Sequence, residues 1–364
     1  TRYEMAQIVA KAMAKGANVD KLAAEFADEL DNLGVRVANL EKKADNVKVT
    51  GELRYKYMSK KNDANVEGSS YENDLRSRIW VTGQINDDWS YTGMIENTQD
   101  FYGENANKGD EDTSFARAYV EGKIGGLAVT AGRYNAFFAN GNIYDALVDG
   151  AEVSYGDKVK VTGFAGKASD GLAFCDAGVD VAGGNYAGGE LSTSFGDMNV
   201  AAGYVNFKDI ANGGDVSIGK GADDAIWYVG ADYTMGDVNL SAMYLKGDAS
   251  YKDVDASKVL GYDDDDGWTV GLTYKGAEAS EAGSWGLFAN YYDQGFGTYL
   301  AHTTDANTFA GTGFKGYGVG ANYTFAKNIV GTVAYYDTES KVSKDVLGKK
   351  LDDQRVWADV TFTF

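Results

Sequence analysis

The sequence predicts an all-β fold, a 16-stranded antiparallel transmembrane β-barrel, preceded by an α-helical coiled-coil stalk. The first observation is that apolar and polar residues alternate along many segments, as in residues 354–364 at the end of the chain. The second is that short turns alternate with longer polar stretches. The third is that 364 residues include 47 glycines and no proline, which suits strands and tight turns. Because successive side chains of a strand point to opposite faces, the alternation describes a wall with an apolar outside and a wet inside.

Residues 1–46 are predicted to be helical in two parts. Residues 1–16 form a helix that ends at Gly16, a common helix stop. From residue 19 an apolar heptad follows, and a coiled-coil stalk over residues 17–46 explains its narrow stripe better than a surface helix of a globular domain. The predicted core positions are Ala23, Phe26, Leu30, Leu33, Val37, Leu40, Ala44 and Val47. One such helix cannot bury its own stripe, so the chain is expected to be oligomeric.

Residues 47–364 show the period of two that predicts the barrel. Short turns are predicted at 86–88, 125–126, 156–157, 196–197, 236–237, 276–283 and 327–328. Longer polar stretches lie near 59–72, 100–112, 137–149, 170–184, 209–223, 250–264, 295–314 and 339–352. Seven turns and eight loops connect 16 strands, an even number that leaves both barrel ends on the periplasmic side. A soluble β-solenoid or sandwich is the alternative, but it leaves long acidic loops on one side unexplained.

Charge and composition exclude several classes of protein. The net charge is −20, and residues 1–46 contribute 7 basic and 8 acidic residues, so the acidity belongs to the barrel. Nucleic acid is therefore not an expected partner. No stretch approaches the roughly 18 apolar residues of a membrane-spanning helix. No signal peptide is recognisable, so Thr1 is interpreted as a processed or internal start. Cys175 is the only cysteine, which rules out an intrachain disulfide and suggests a bystander thiol.

Basic residues gather on the polar side of the early strands. They are Arg54, Lys56, Arg76, Arg78, Arg117 and Lys123. An arginine that faces lipid at the bilayer midplane costs about 2–4 kcal/mol, so the lumen is the expected direction. If loop carboxylates lie on the facing side, this row of basic residues would create an electric field across the lumen. The field would orient polar solutes and disfavour apolar ones. The alternative is that these charges only hydrate a wide lumen.

The third long stretch, 137–149, is less charged and more apolar than the other loops. It is predicted to pack inside the barrel and to show Asp145 and Asp149 to the lumen; the alternative is an ordinary surface loop. Arg133 conflicts with this picture, because it shares the outer parity of Leu127 and Val129 and reaches the lumen only if a bulge intervenes or the strand ends before it.

Catalytic chemistry is not supported. His302 is the only histidine and lies among Thr, Asp and Asn, so a Ser-His or zinc site lacks its other parts. Residues 311–316 fit a dinucleotide-binding glycine pattern but lead into a strand, so we treat the match as chance. The acidic run 263–266 fails the EF-hand spacing because Tyr262 occupies the first ligand position. No cofactor is expected; divalent cations at the acidic outer loops are the remaining alternative to a solvated loop.

Residues 47–364 resemble the trimeric general-diffusion porins. The resemblance is carried by Gly132-Arg133-Tyr134 followed by residues 143–147, and by Arg76 leading to residues 82–86. It implies a 16-stranded barrel whose pore-lining arginines face acidic residues on an inward-folded loop. It assigns those roles to Arg76, Arg133 and Asp145, while Arg78, Arg117 and Asp149 rest on the local pattern. The terminal Phe364 is assigned to barrel assembly.

Thr1, Arg2 and Glu4 resemble the end of a surface-layer-homology module, with Tyr3 in place of the usual alanine. Such a module binds cell-wall polymer. A module end, a coiled coil and a porin barrel in this order look like the OmpM-type porins, which tether the outer membrane to peptidoglycan.

The resemblance implies a homotrimer in the outer membrane, in contact with lipopolysaccharide, with its stalk in the periplasm and its missing head on peptidoglycan or a secondary cell-wall polymer. The expected function is passive diffusion of small hydrophilic solutes and ions, with a weak preference for cations. A substrate-specific channel and a mainly structural tether are the alternatives.

Overall fold

The barrel prediction is confirmed in a computed structural model, which describes residues 1–14, 22, 25–30, 46–62, 69–102, 113–169, 184–209, 222–251, 264–304 and 313–364. Among these residues, sixteen antiparallel strands form one closed barrel in which every strand pairs with its neighbours in sequence and β1 pairs with β16. The strands are β1 (Val47–Asn62), β2 (Ser69–Gln84), β3 (Trp89–Asp100), β4 (Thr113–Ile124), β5 (Leu127–Phe138), β6 (Tyr144–Tyr155), β7 (Val159–Ala168), β8 (Asn185–Phe195), β9 (Met198–Lys208), β10 (Ala222–Met235), β11 (Val238–Tyr251), β12 (Asp266–Lys275), β13 (Trp285–Gln294), β14 (Phe314–Ala326), β15 (Ile329–Ser340) and β16 (Asp352–Thr363).

The seven predicted short turns all connect consecutive strands at one end of the barrel. The chain enters β1 and leaves β16 at this same end, and the Gly51 and Phe364 backbones exchange two hydrogen bonds of 2.7 and 3.0 Å there. The C-terminal residue therefore lies at the seam that closes the barrel.

The outer face of the barrel is apolar. Exposed side chains on β10 include Trp227, Val229 and Tyr233, and the first of these is 60% exposed. Similar exposed residues continue onto β11 and β12, with Leu240 and Leu272. A surface of this kind is stable in lipid and would be unfavourable in water, so it fits a bilayer.

The segment before the barrel is helical where it is described. Helix α1 (Arg2–Ala14) lies within the helix predicted for residues 1–16. Its Ala6 and Val9 are buried against Phe26, and Leu30 packs on the same cluster. No helix in the described part of the chain is long and apolar enough to cross a bilayer.

The structure corrects part of the coiled-coil prediction. Phe26 and Leu30 pack on Ala6 and Val9 of α1 in the same chain, which covers part of the predicted apolar stripe. Val47, predicted as the last core position, is instead the first residue of β1 and lies opposite Gly83. Ala23, Leu33, Val37, Leu40 and Ala44 lie outside the described residues. The described residues thus give no evidence for a coiled-coil stalk.

Candidate functional site

The hairpin formed by β5 and β6 leaves the barrel wall and enters the lumen. Strand β5 pairs with β4 only as far as Arg133, whereas its pairing with β6 continues to Phe138. Strand β6 in turn pairs with β7 only from Val148 onward. Residues 134–147, which we call the ribbon, therefore hydrogen-bond mainly to each other and end in a 3₁₀ turn at Ala139–Gly141. This is the segment for which inward packing was predicted as loop 137–149, but it consists of strands and not of an irregular loop.

A row of glycines lies where the ribbon bends inward. Gly132, Gly150 and Gly166 are opposite one another on three neighbouring strands. Gly132 has a φ of 128°, and a Cβ at this position would overlap the carbonyl oxygen of Ala118. A Cβ at Gly150 would lie 2.6 Å from the carbonyl oxygen of Ala165. The bend therefore depends on residues without side chains.

One face of the ribbon packs against the inner wall of β7–β11. Phe138 stacks on Phe164 with 4.3 Å between the ring centroids, and Tyr144 contacts Phe207 at 5.6 Å. The buried cluster is formed by Tyr134, Ala136, Phe138, Ala139, Ile143, Tyr144, Ala146, Val148, Phe164, Ala168, Tyr186, Val205, Phe207, Ile226, Tyr228, Met243, Leu245, Phe296 and Leu300. Burying each large side chain contributes about 1.5–3 kcal/mol, so this cluster holds the ribbon inside the barrel. It also fills one side of the lumen.

A second segment enters the lumen from the connection between β13 and β14. It runs through residues 296–304 and begins with a 3₁₀ turn at Phe296–Thr298. Leu300 joins the buried cluster, and Ala301 pairs with Tyr144 of the ribbon as a parallel bridge. Residues 295–314 were predicted only as one of the longer polar stretches. The signal for inward packing is the apolar character of Phe296, Tyr299 and Leu300, three residues that are nearly inaccessible to solvent.

The other face of the ribbon turns toward β4. Asn135 accepts a hydrogen bond of 3.3 Å from Arg117 and donates one of 2.7 Å to Asp145. Thr303 donates to the second carboxylate oxygen of Asp145, also at 2.7 Å. The guanidinium of Arg117 lies 5.0 Å above the ring of Trp80. Arg117 and Asp145 are therefore linked through one amide across the remaining passage.

The basic residues predicted on β1, β2 and β4 lie on the inner face of the barrel. Arg76 pairs with Glu52 at 2.8 Å, and Arg78 pairs with Glu96. Lys56 pairs with Asp74 at 2.6 Å. These carboxylates belong to the neighbouring strands and not to the inward loop, so the basic wall is partly neutralised by its own residues. Arg54 and Lys56 also lie over the ring of Trp357, at 5.4 and 5.3 Å.

Arg133 and Asp149 occupy a different place from the predicted constriction. They bind each other through two hydrogen bonds of 2.6 and 2.7 Å, and their side chains are 50% and 52% exposed. Arg133 lies opposite Ala118 on the outer parity, and no register shift precedes it on β5. The bend at Gly132 redirects the strand without the bulge that would have turned residue 133 inward. Lys123 lies on the inner parity near the turn end of β4 and is exposed.

An open recess of about 380 Å³ lies beneath the ribbon, against the inner wall of β8–β13. Its polar lining includes Glu190, Ser192, Asn199, Asp232, Ser241 and Asn290, and no lysine or arginine is among its lining residues in the described part of the chain. Tyr228 donates a 2.6 Å hydrogen bond to Glu190, and Asn199 donates one of 2.9 Å to Asp232. The lumen thus has a basic wall on β1–β4 and an acidic, hydroxyl-rich wall opposite.

His302 lies in the connection between β13 and β14, within a cluster of aromatic side chains. Its ring meets those of Tyr292, Tyr299 and Phe314 edge to face, with centroids 5.2 to 6.0 Å apart. Its Nδ1 accepts a 2.9 Å hydrogen bond from the amide of Thr304. Burial lowers the pKa of His302 to about 3. A neutral imidazole among aromatic rings is a packing element.

The described residues contain no group of three or more His, Cys, Asp or Glu side chains placed to hold a metal ion. In the acidic run at 263–266, Asp265 and Asp266 are bound by Lys246 at 2.6 and 3.3 Å. Asp263 and Cys175 lie outside the described residues.

Comparison with known proteins places this barrel among porin-like structures. Residues 176–277 match the sequence profile of a family described as Gram-negative porin. An anion-selective porin from Comamonas acidovorans is 13% identical, with a TM-score of 0.55 over 87% of this chain and 99% of that chain. OmpT, an outer membrane protein of Vibrio cholerae folded in vitro in a trimer form, is 17% identical, with a TM-score of 0.54 over the same shares. These similarities show the fold, and a search of curated protein sequences found no significant match.

Proposed function

We propose that this protein is an outer-membrane porin through which small hydrophilic solutes and ions diffuse passively. The observation that carries the proposal is that the two sides of the lumen are lined by different kinds of residue. The β7–β11 side is filled by an apolar cluster, whereas the β1–β4 side keeps ionised residues such as Arg76, Arg78 and Glu96 on its inner face. A barrel that served only as an anchor would have no need of charged side chains in its interior, because each buried charge is costly.

The comparisons support the same reading. The family matched by residues 176–277 is described as a porin, and an anion-selective porin shares the fold. Both the outer-membrane location and the absence of enzymatic activity follow from this proposal.

Single-channel recording in planar bilayers tests it. We expect stable conductance steps that rise in proportion to salt concentration. Solute-induced saturable block would indicate a substrate-specific channel instead. A lumen that never conducts would contradict the proposal and favour a mainly structural tether.

We also propose a homotrimer. The outer face of β2–β6 carries polar groups, including Ser77, Asn97 and the pair of Arg133 and Asp149, whereas the outer face of β10–β14 is apolar. A charged pair on a lipid-facing wall is unfavourable, and a neighbouring copy would cover it. Chemical cross-linking in mild detergent should give a trimer, and cross-links that stop at the dimer would contradict this assignment.

We further propose that the protein tethers the outer membrane to the cell wall. This role is supported by the motif of Thr1, Arg2 and Glu4, which begins α1. Arg2 pairs with Glu29 at 2.6 Å and lies 5.1 Å above the ring of Phe26, so this residue joins α1 to the segment that follows. A pull-down with purified peptidoglycan sacculi tests the tether, and equal retention of the full chain and an Arg2→Ala, Glu4→Ala variant would speak against this motif.

A further inference from the structure

The segment 296–304 and the ribbon meet inside the lumen through a set of backbone hydrogen bonds. Leu300 and Ala301 donate to the carbonyl of Ile143 at 2.9 and 3.2 Å, and Asp145 donates to Ala301 at 2.7 Å. The amide of Thr303 donates to Gly141 at 2.9 Å. We propose that this segment is a second constriction element, a clamp that fixes the tip of the ribbon and thereby sets the size limit of the pore. The proposal rests on the channel function proposed above.

The segment is itself anchored to the wall. Gln294, at the end of β13, donates a 3.5 Å hydrogen bond to the hydroxyl of Thr298, and Thr298 caps its own turn by donating to Gly295 at 2.8 Å. The backbone of Gly297 lies directly against Gly247 of β11, and a Cβ at Gly247 would overlap the carbonyl oxygen of Gly297. The clamp is therefore held by β11–β13, on the side of the barrel opposite the base of the ribbon.

The ribbon needs such a partner. Beyond Arg133 and Val148 no wall strand pairs with it among the described residues, and a two-stranded ribbon is marginally stable by itself. Its apolar face is held by the buried cluster, and the clamp binds the backbone of Gly141, Ile143 and Asp145, while the side chain of Gln294 binds the carbonyl of Asn142. Loss of the clamp would therefore loosen the backbone of the tip while the base of the ribbon stayed in place.

The clamp also positions a charge. The carboxylate of Asp145 is fixed between Thr303 and Asn135, and Asn135 holds Arg117 on the facing wall. The same contacts that limit the size of the passage therefore decide where its acidic group stands.

Thr303→Val tests the clamp with a nearly isosteric change that removes the hydrogen bond to Asp145. One ordinary hydrogen bond changes the population of the unclamped state about fivefold. We expect faster hydrogen exchange at the amides of Leu300, Ala301 and Asp145, longer high-conductance events, and entry of larger neutral sugars in liposome-swelling assays. Thr361→Val is the matched control, because Thr361 donates a similar 3.3 Å hydrogen bond to Asp359 on the inner wall away from the ribbon.

A disulfide provides a second test, in which the oxidised and reduced forms of one variant are compared with each other. In a Cys175→Ser background, Asp145→Cys with Thr303→Cys should lock the ribbon to the clamp when oxidised and release it when reduced. Oxidation should suppress the high-conductance events, and reduction should restore them. Unchanged exchange, conductance and size limit in both tests would overturn the clamp. A wild-type barrel that folds but never conducts would instead refute the channel function, while the exchange experiment would still report on the clamp.

Discussion

The inward bend of the ribbon depends on a few small residues. Gly132 adopts a positive φ next to the carbonyl of Ala118, and Gly150 and Gly166 continue the same row. The adjacent Arg133 and Asp149 neutralise each other on the outer side of the bend. The residue after the bend therefore keeps its outer parity, although the strand itself turns inward.

Gly132→Ala should destabilise the bend. The positive φ and the overlap with the Ala118 carbonyl together cost on the order of 1–3 kcal/mol. We expect a lower unfolding midpoint in urea and a wider pore as the ribbon moves out. Gly163→Ala is the matched control, since a Cβ there meets no atom within 4 Å. Equal loss of stability in both variants would show that the bend has no special requirement for glycine.

Charge substitutions should separate the residues that line the passage from those that do not. Replacing Arg76 and Arg78 by Gln should increase cation preference, and Asp145→Asn should shift selectivity toward anions. Both effects should weaken as salt rises, because charges are screened beyond about 8 Å at physiological ionic strength. Reversal potentials across a salt gradient measure this preference.

The control for these substitutions is the double replacement Arg133→Gln with Asp149→Asn. Because this pair lies on the outer parity, the control should leave the reversal potential unchanged. A shift as large as that of the inner-wall variants would place the pair in the passage after all.

At the scale of elements, the ribbon and the clamp show why an inward segment can be made of regular structure. The ribbon keeps its internal hydrogen bonds after leaving the wall, and the clamp supplies bonds to its free edge. Because the backbone polar groups of the ribbon remain paired, it can lie inside the barrel without the usual cost of burying an irregular loop.

The clamp should weaken in acid because of His302. Its pKa is lowered from 6.5 to about 3 in the folded protein, so the folded form stays neutral while an opened form takes up a proton. Above pH 6.5 the imidazole is neutral in both forms, and the stability of the clamped state does not depend on it. As the pH falls from 6.5 toward 3, the clamped state loses about 1.4 kcal/mol of stability per pH unit. At pH 5 the clamped state should be less stable by about 2 kcal/mol.

Hydrogen exchange at Leu300 and Ala301 between pH 7.5 and 5, corrected for the intrinsic rate, measures this loss. His302→Gln retains an acceptor for the Thr304 amide but does not titrate, so its exchange should not depend on pH in this range. Equal acid sensitivity of the wild type and the variant would show that another group weakens the clamp.

At the scale of the whole molecule, the barrel closes without help from the segment before it. Strand β1 begins at Val47, pairs with β2 and β16, and joins the chain end through Gly51 and Phe364. In the described part of the chain, the buried cluster of α1 involves Phe26 and Leu30 and none of the barrel residues. The two parts therefore have separate cores.

Removing residues 1–46 should leave a folded, conducting barrel. Circular dichroism should retain its strand signal, and single-channel conductance should match that of the full chain. Binding to cell-wall sacculi should be lost from a complete protein that lacks this segment. If the shortened barrel does not fold, the segment is part of the barrel and the boundary at residue 47 is wrong.

The amino-acid sequence alone predicts the barrel, because a period of two is a local property that each strand expresses independently. It determined the seven tight turns for the same reason, and it placed Arg54, Arg76 and Arg117 on the polar side. It also indicated that residues near 137–149 were unusually apolar for a loop.

How the lumen is filled could not be predicted from the strand pattern, because it depends on contacts between distant segments. Whether Asp145 faces Arg117, and whether Arg133 meets Asp149, depends on a bend at one row of glycines, which alternation along a strand cannot reveal. The clamp joins Ile143 to Leu300, residues far apart in the chain whose meeting depends on closure of all sixteen strands. The ion pairs of the basic wall likewise depend on strand register, because a shift of one residue would move each side chain of a strand to the opposite face.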